Sequence, residues 1–328
     1  MPRNIYSYRD NKYEFEQFSD DRFDFNICKI NGDTYKPTFL YKYYQLSNNS
    51  ISALINSYLF APHPLQLNDK YDCSEQLVNI SDHTINDYLN SYLSNYYSKD
   101  QIIDSFNNHR EELDNFYLSL EQRRLFYQFG IISLCENYND ILMWAYYAQN
   151  NGFLIKFQTD LLPSEFIGPF PVNYVPELAK INSAEHGSMI SFLYQTNVKS
   201  ILWKREQEWR FIVRNPKGKY HPFHNKQDIS SRLYLYNKKS VQEIHLGYDF
   251  ILPTEVISNS ENEEYVRFKT NSQNHKLKRK LLTYIYDNKI PCFRMLKYNL
   301  AYKLGMQKVD IQKISSHRYI FKLGDIYV

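Results

Sequence analysis

The fold reading turns on Lys204-Arg-Glu-Gln-Glu-Trp-Arg-Phe-Ile-Val213. Successive side chains of a β-strand point to opposite faces. Read as a strand, this segment places Gln207, Trp209, Phe211 and Val213 on one largely apolar face that suits a core. Glu206, Glu208, Arg210 and Ile212 share the other face, with the two carboxylates ~6.6 Å apart at ~3.3 Å per residue. Arg210 is then close enough to hold Glu208 ionised and oriented. A carboxylate held this way can stabilise a developing oxocarbenium charge on a ribose, or accept a proton. The plainer account is an exposed edge strand whose charges add little stability and guard against aggregation.

Outward from that strand, the pattern predicts an α+β protein: a single mixed domain with a central, mainly antiparallel sheet and helical insertions. Residues 1–36 are polar, with a turn at Asn31-Gly32-Asp33, and read as an N-terminal extension; 37–328 read as the domain. Strands are predicted at Phe39–Tyr43, Tyr58–Ala61, Ile131–Cys135, Phe153–Phe157, near Phe170–Tyr174, at Gln242–Leu246 and at Ile290–Leu296. Pro37 just before the first of these could not sit inside a central strand. Ser47 to Ser50 offer N-caps for a short helix over Ile51–Tyr58, and Asp140 caps one carrying Met143, Trp144 and Tyr147. Residues 80–128 show helical periodicity without Gly or Pro and read as a helical insertion. Residues 177–203 read as helix-rich, and a helix is predicted over His275–Asp287.

The composition is ordinary for a globular chain of 328 residues, with 43% hydrophobic and 23% charged residues; the 31 Tyr and 21 Phe are unusual and fit an AT-rich coding sequence. A formal net charge of +3 neither demands nor excludes a nucleic-acid partner, since a local basic stripe is what matters there. Lys276, Lys278, Arg279 and Lys280 form such a cluster, readable as a solvated helix face or as a phosphate-binding one. Cys28, Cys73, Cys135 and Cys292 lie far apart, which speaks against a compact zinc site or a disulfide framework. No apolar run approaches the ~20 residues needed to span a bilayer, and the polar N-terminus is not a signal peptide. A cytoplasmic, membrane-free protein with reduced thiols is expected.

Other candidate site residues fall in three places. Asn68, Asp69 and Asp72 can cap a helix, brace a turn or hold a metal; with only two acids, a structural role is expected and no metal is predicted. Trp144 and Tyr147 read as core packing or as an aromatic wall for a nicotinamide or a base. Tyr41 and Tyr43 share a strand face opposite Lys42. No Gly-rich phosphate loop, nucleophile elbow or His-Glu-x-x-His motif occurs, and Pro222 makes His221 and His224 an unfavourable helical ligand pair.

Seven short motifs in order resemble the bacterial domain-of-unknown-function family numbered 2971. They are Leu40-Tyr-Lys-Tyr43, Asn68-Asp-Lys-Tyr-Asp72, Gly130-Ile-Ile-Ser-Leu134, Leu142-Met-Trp-Ala-Tyr-Tyr147 with Gly152-Phe153, Val172-Asn-Tyr174, Lys199…Trp203-Lys-Arg-Glu-Gln-Glu-Trp-Arg210, and Ile244-His-Leu-Gly247. The chain departs from the family pattern at Tyr44, where an Arg is usual, at Lys70-Tyr71, where Pro-Phe is usual, and near Tyr146, where a His follows Met-Trp. The family implies no reaction.

The order of Leu40–Tyr44, Tyr58–Ala61 and Glu206–Glu208 is similar to that of ADP-ribosyltransferases, although the Arg or His of their first strand is missing. That likeness implies NAD as co-substrate. Glu208 would be the catalytic carboxylate, Glu206 and Arg210 would orient groups around it, and Tyr41, Lys42, Tyr43, Asn68, Asp69, Trp144 and Tyr147 would contact the cofactor. It also implies a macromolecular acceptor, protein or nucleic acid, and a toxin or phage-defence effector with a partner protein. Two rivals stand beside it. One is a metal-dependent nuclease using Asp69, Asp72, Glu206 and Glu208 with Lys204; the other is a non-catalytic nucleotide or nucleic-acid binding module.

Overall fold

The computed structural model describes residues 3–8, 11–17, 25–30, 36–69, 71–214, 232–259, 264–270, 274–298 and 303–327. The Asn31-Gly32-Asp33 turn, Lys70, His221, Pro222, His224 and the Cys28 side chain lie outside the described residues. In the N-terminal segment, β1 (Arg3–Tyr8), β2 (Asn11–Gln17) and β3 (Phe25–Ile30) form a three-stranded antiparallel sheet.

Strand β4 (Phe39–Tyr44) follows Pro37, as predicted. Ser47 then caps α1 (Asn48–Ile55), its hydroxyl accepting the Ser50 N–H while Ile51 and Leu54 turn inward. Strand β5 (Tyr58–Phe60) departs from the expected arrangement. It pairs with β14 (Leu233–Leu235) as a separate two-stranded ribbon and does not join the central sheet. The short parallel pair β6 (Val78–Asn79) and β11 (Ile181–Asn182) flanks the predicted insertion. That insertion holds α2 (Ile85–Leu89), α3 (Lys99–Asn108) and α4 (Arg110–Gln128), closed around a small core of Tyr88, Leu93, Ile102 and Leu113.

Next come β7 (Phe129–Cys135), α5 (Ile141–Ala148) behind its Asp140 cap, and β8 (Phe153–Gln158). The expected strand near 170–174 is two strands, β9 (Ile167–Pro171) and β10 (Asn173–Val175). After α6 (Ser183–Asn197), β12 (Val198–Ser200) pairs parallel to β10. The chain continues through β13 (Glu208–Arg214), β15 (Val241–Leu246), β16 (Val256–Asn259), β17 (Tyr265–Lys269) and α7 (His275–Asp287). It ends in β18 (Cys292–Lys297), β19 (Leu304–Lys313) and β20 (Arg318–Tyr327).

Eleven strands form one sheet, in the order β16-β17-β20-β19-β18-β15-β8-β4-β7-β13-β9. Only the β15–β18 pairing within it is parallel, so the fold is α+β with a central, mainly antiparallel sheet. One face carries the main core, where Leu40, Leu134, Phe153, Trp209, Phe211 and Val213 meet Leu281, Leu282 and Ile285 of α7. The opposite face holds two smaller clusters, one with Ile131, Ile212 and Phe192, the other with Tyr41, Tyr43 and Trp144. Central strands covered on both faces need apolar residues at nearly every position, which is how β7 and β8 read. One seam is loose: β4 makes six paired positions with β8 but only one, Tyr41 with Cys135, with β7.

Two features of the deciding stretch need correction. Ile201–Glu206 is a 3₁₀ helix, Gln207 takes a left-handed conformation (φ 43°, ψ 51°), and the strand begins at Glu208. β13 is also not an edge strand. It is paired along its length to β7 and, through Trp209, Arg210 and Ile212, to β9.

Candidate functional site

Arg210 organises the covered face of β13. It is 1% exposed and uses all five of its N–H donors. Nη1 and Nη2 grip Asp72 as a fork at 2.7 and 2.6 Å, Nε and Nη2 grip Glu208 at 2.8 and 3.0 Å, and Nη1 also donates to the Thr196 carbonyl at 2.6 Å. Such two-point Arg–carboxylate contacts fix orientation as well as charge. Burial alone would raise the Glu208 pKa; Arg210 first, then Lys199, more than offset this and hold it well below the usual carboxylate range. The backbone of Glu208 is fixed too: its N–H donates to the Tyr174 hydroxyl and its carbonyl accepts the Val172 N–H.

Glu206 reaches the same spot from another element. The left-handed turn at Gln207 brings the end of the 3₁₀ helix beside the strand, so Lys199 on β12 bridges both acids, 2.6 Å from Glu206 Oε2 and 3.3 Å from Glu208 Oε2. Trp203 lies under the same amine, which is 4.9 Å from the ring centre. The Tyr147 hydroxyl on α5 donates to Glu206 Oε1 at 2.5 Å and accepts from Asn68 Nδ2 at 2.8 Å. Burial, and then Glu206, raise the Tyr147 pKa, so its hydroxyl stays protonated and acts as a donor. Burial raises the Glu206 pKa above its ordinary value against the pull of Lys199, and the neighbouring Glu208 charge adds to the rise. The two glutamates, two residues apart, therefore have their pKa values shifted in opposite directions. Environments that push paired acids apart in this way sort them into acid–base and anionic roles.

These groups wall a partly enclosed cavity of about 110 Å³ at the β4–β7 seam. That volume suits one small ring; sites for whole drug-sized ligands begin at about 300 Å³. Tyr41, Tyr43, Cys135 and Met143 give the cavity its apolar side. Lys42 enters from the seam, half-buried, and its amine donates to the Ser133 carbonyl at 2.8 Å across to β7. Burial lowers the pKa of this amine, with the Glu208 charge pulling the other way. The Cys135 thiol is pushed up by burial and donates to the carbonyls of Tyr41 and Asn137, so it is not a thiolate nucleophile.

Of the residues singled out in the sequence, Glu206, Glu208, Arg210, Tyr41, Lys42, Tyr43, Asn68 and Tyr147 converge on this cavity. Two do not. Trp144 is fully buried, donates from Nε1 to the Tyr138 carbonyl and packs edge-on against Tyr43, so it belongs to the core and is no ligand wall. Asp69 accepts the Tyr71 N–H and braces the turn, with its side chain outside the cavity lining. Lys204, invoked for a nuclease, is exposed and does not line the cavity; Lys199 holds the acids instead.

Lys199 and Asp72 appear in the motifs but their roles are not readable there, because Arg210 and Asp72 are 138 residues apart. Nothing in the sequence marks the Ser133 carbonyl. Among the described residues no cluster of His, Cys, Asp or Glu has the form of a metal centre, and no helix is long and apolar enough to cross a membrane. Comparisons with protein-family models, curated proteins and solved structures found no match for this chain.

Proposed function

We propose that the cavity is the active site of an ADP-ribosyltransferase-like enzyme that takes the nicotinamide-ribose end of NAD and passes ADP-ribose to a protein or nucleic-acid acceptor. The observation that carries this reading is the sharing of Lys199 by Glu206 and Glu208 at the wall of a one-ring cavity, with the pKa values of the two acids shifted in opposite directions. Departure of nicotinamide breaks the bond from its nitrogen to the ribose C1′, and the electron pair leaves with the nitrogen. Positive charge then develops on the ribosyl carbon. Glu208, held anionic by Arg210, lies where it would stabilise that charge. Glu206 is the better proton acceptor, since burial lifts it toward the working pH and no guanidinium holds it. The acceptor hydroxyl or amine would attack C1′ and give its proton to Glu206. Glu208 thus keeps the role expected from the sequence, while Glu206, expected there to orient groups, becomes the proton acceptor.

Tyr41 and Tyr43 would flank the ring, and Lys42 would offer the N–H donors left over from its bond to Ser133 to the ribose hydroxyls or the carboxamide oxygen. The rest of the dinucleotide would lie outside the cavity, which is too small for it. The nuclease alternative is weaker here. Asp72, Glu206 and Glu208 are each already matched to Lys199 or Arg210, and a metal would have to displace both cations. A role as a toxin or defence effector, with a partner protein, fits this chemistry as context.

The test is nicotinamide release and transfer of labelled ADP-ribose to protein and RNA fractions, with NAD binding followed by calorimetry. Glu206→Gln should bind NAD and lose about 10²–10⁴-fold in rate. Unchanged turnover in that variant, or no NAD binding by the unaltered protein, would overturn the proposal.

A further inference from the structure

Helix α7 turns Leu281, Leu282 and Ile285 to the main core and buries Lys278 against Glu255 at 2.7 Å. Its outer side is different. Lys276, Arg279 and Lys280 from α7, with Lys313 from the end of β19, line a groove of about 610 Å³ whose single acid is Asp287. Those five side chains leave three positive charges in excess, as many as the formal net charge of the whole chain, +3. The rest of the sequence is therefore balanced, and the surplus is gathered here. The groove lies across the sheet from the Glu206–Glu208 cavity, because α7 packs on the Trp209 face and the cavity opens on the other.

The placement works against the helix itself. Lys276 and Lys280 are spaced i,i+4, where like charges repel, and Asp287 at the far end is the only acid in α7. Lys276 and Lys278 stand in the first turn, where the helix dipole disfavours cations. Both penalties turn to advantage when an anion occupies the groove. Arg279 is set for one: its Nη1 is 2.6 Å from Nδ1 of His317 in the β19–β20 turn, and its Nε is shielded from solvent with no acceptor among the described residues. Lys276 and Lys280 are about 6 Å apart along the helix axis. Over that length one strand of a duplex presents about two phosphates.

We propose that this groove binds the phosphodiester backbone of a nucleic acid, without reading its sequence. Fluorescence anisotropy of the full chain with short labelled single-stranded RNA, single-stranded DNA and duplex DNA, from about 50 to 200 mM salt, tests this without any use of NAD. Log affinity should fall linearly with log salt, by about 0.9 per phosphate neutralised on duplex or 0.7 on single strands. Lys276→Gln/Lys280→Gln/Lys313→Gln should bind at least about tenfold more weakly and with a slope shallower by about two to three. A salt-independent affinity in the unaltered protein would overturn the proposal without any variant being needed. So would unaltered binding by a triple variant that melts like the parent, or binding of ATP or inorganic phosphate but of no nucleic acid.

Discussion

Two buried ion pairs in this molecule look alike and do different work. Lys278–Glu255 and Arg210–Glu208 are each less than a tenth exposed, with contacts of 2.7 and 2.8 Å. The first ties α7 to the turn before β16. Glu255 also accepts the Leu252 N–H, and the Phe250 ring lies 5.5 Å from the lysine amine, so the pair serves packing and docking. The second is one link of a chain that runs from Asp72 through Arg210, Glu208 and Lys199 to Glu206 and ends on a cavity. Both carry the desolvation cost of buried charge. What separates them is branching and access: a pair that closes on itself holds the fold, and a chain of unequal acids that opens on a void sets up chemistry.

The largest effect is expected from Arg210→Met, which leaves Asp72 and Glu208 buried without the guanidinium they share. Urea unfolding should show a loss of about 3–5 kcal/mol; a loss under about 1 kcal/mol would mean that the network is not fixed as described. Adding Glu208→Gln should restore part of the stability and none of the NAD activity. Lys278→Met should cost nearly as much, about 3 kcal/mol. Here the contrast sharpens, because Lys278→Met/Glu255→Gln should regain most of that loss and act on NAD like the parent. If the double variant folds well and is inactive, the division between the two pairs is wrong.

The smallest effect is on pH. Tyr147→Phe removes a donor to ionised Glu206, which disfavours the charged form and raises its pKa further. Because the proposed base works deprotonated, the rising limb of the kcat/KM profile should move to higher pH. An unmoved limb would assign the proton transfer to another group.

The greasy side of β13 was legible: Trp209, Phe211 and Val213 alternate, and all three lie in the main core. The position of Glu206 was not, since a non-glycine residue in the left-handed region at Gln207 leaves no mark in a pattern of alternation. The two acids thus meet through a left-handed turn and not through the shared strand face that alternation predicted. The pairing of Asp72 was out of reach because a partner 138 residues away is chosen by topology, and that of Lys199, only seven and nine residues from its acids, because it depends on the left-handed turn at Gln207. Trp144 was open to two readings, as its helix is apolar on most sides and only packing decides which ring faces a void. The β19 strand was legible and passed over: Val309 and Ile311 alternate with Asp310 and Gln312, and both apolar residues are buried.

The seam between β4 and β7 has a mechanical consequence. A ladder of paired backbone groups resists sliding of one strand past the next, yet here a single rung joins the two sides, and the flexible arm of Lys42 serves as a second, removable one. A guest that bonds the remaining Lys42 donors, with the Ser133 bond kept, would brace the sheet at its least fastened joint.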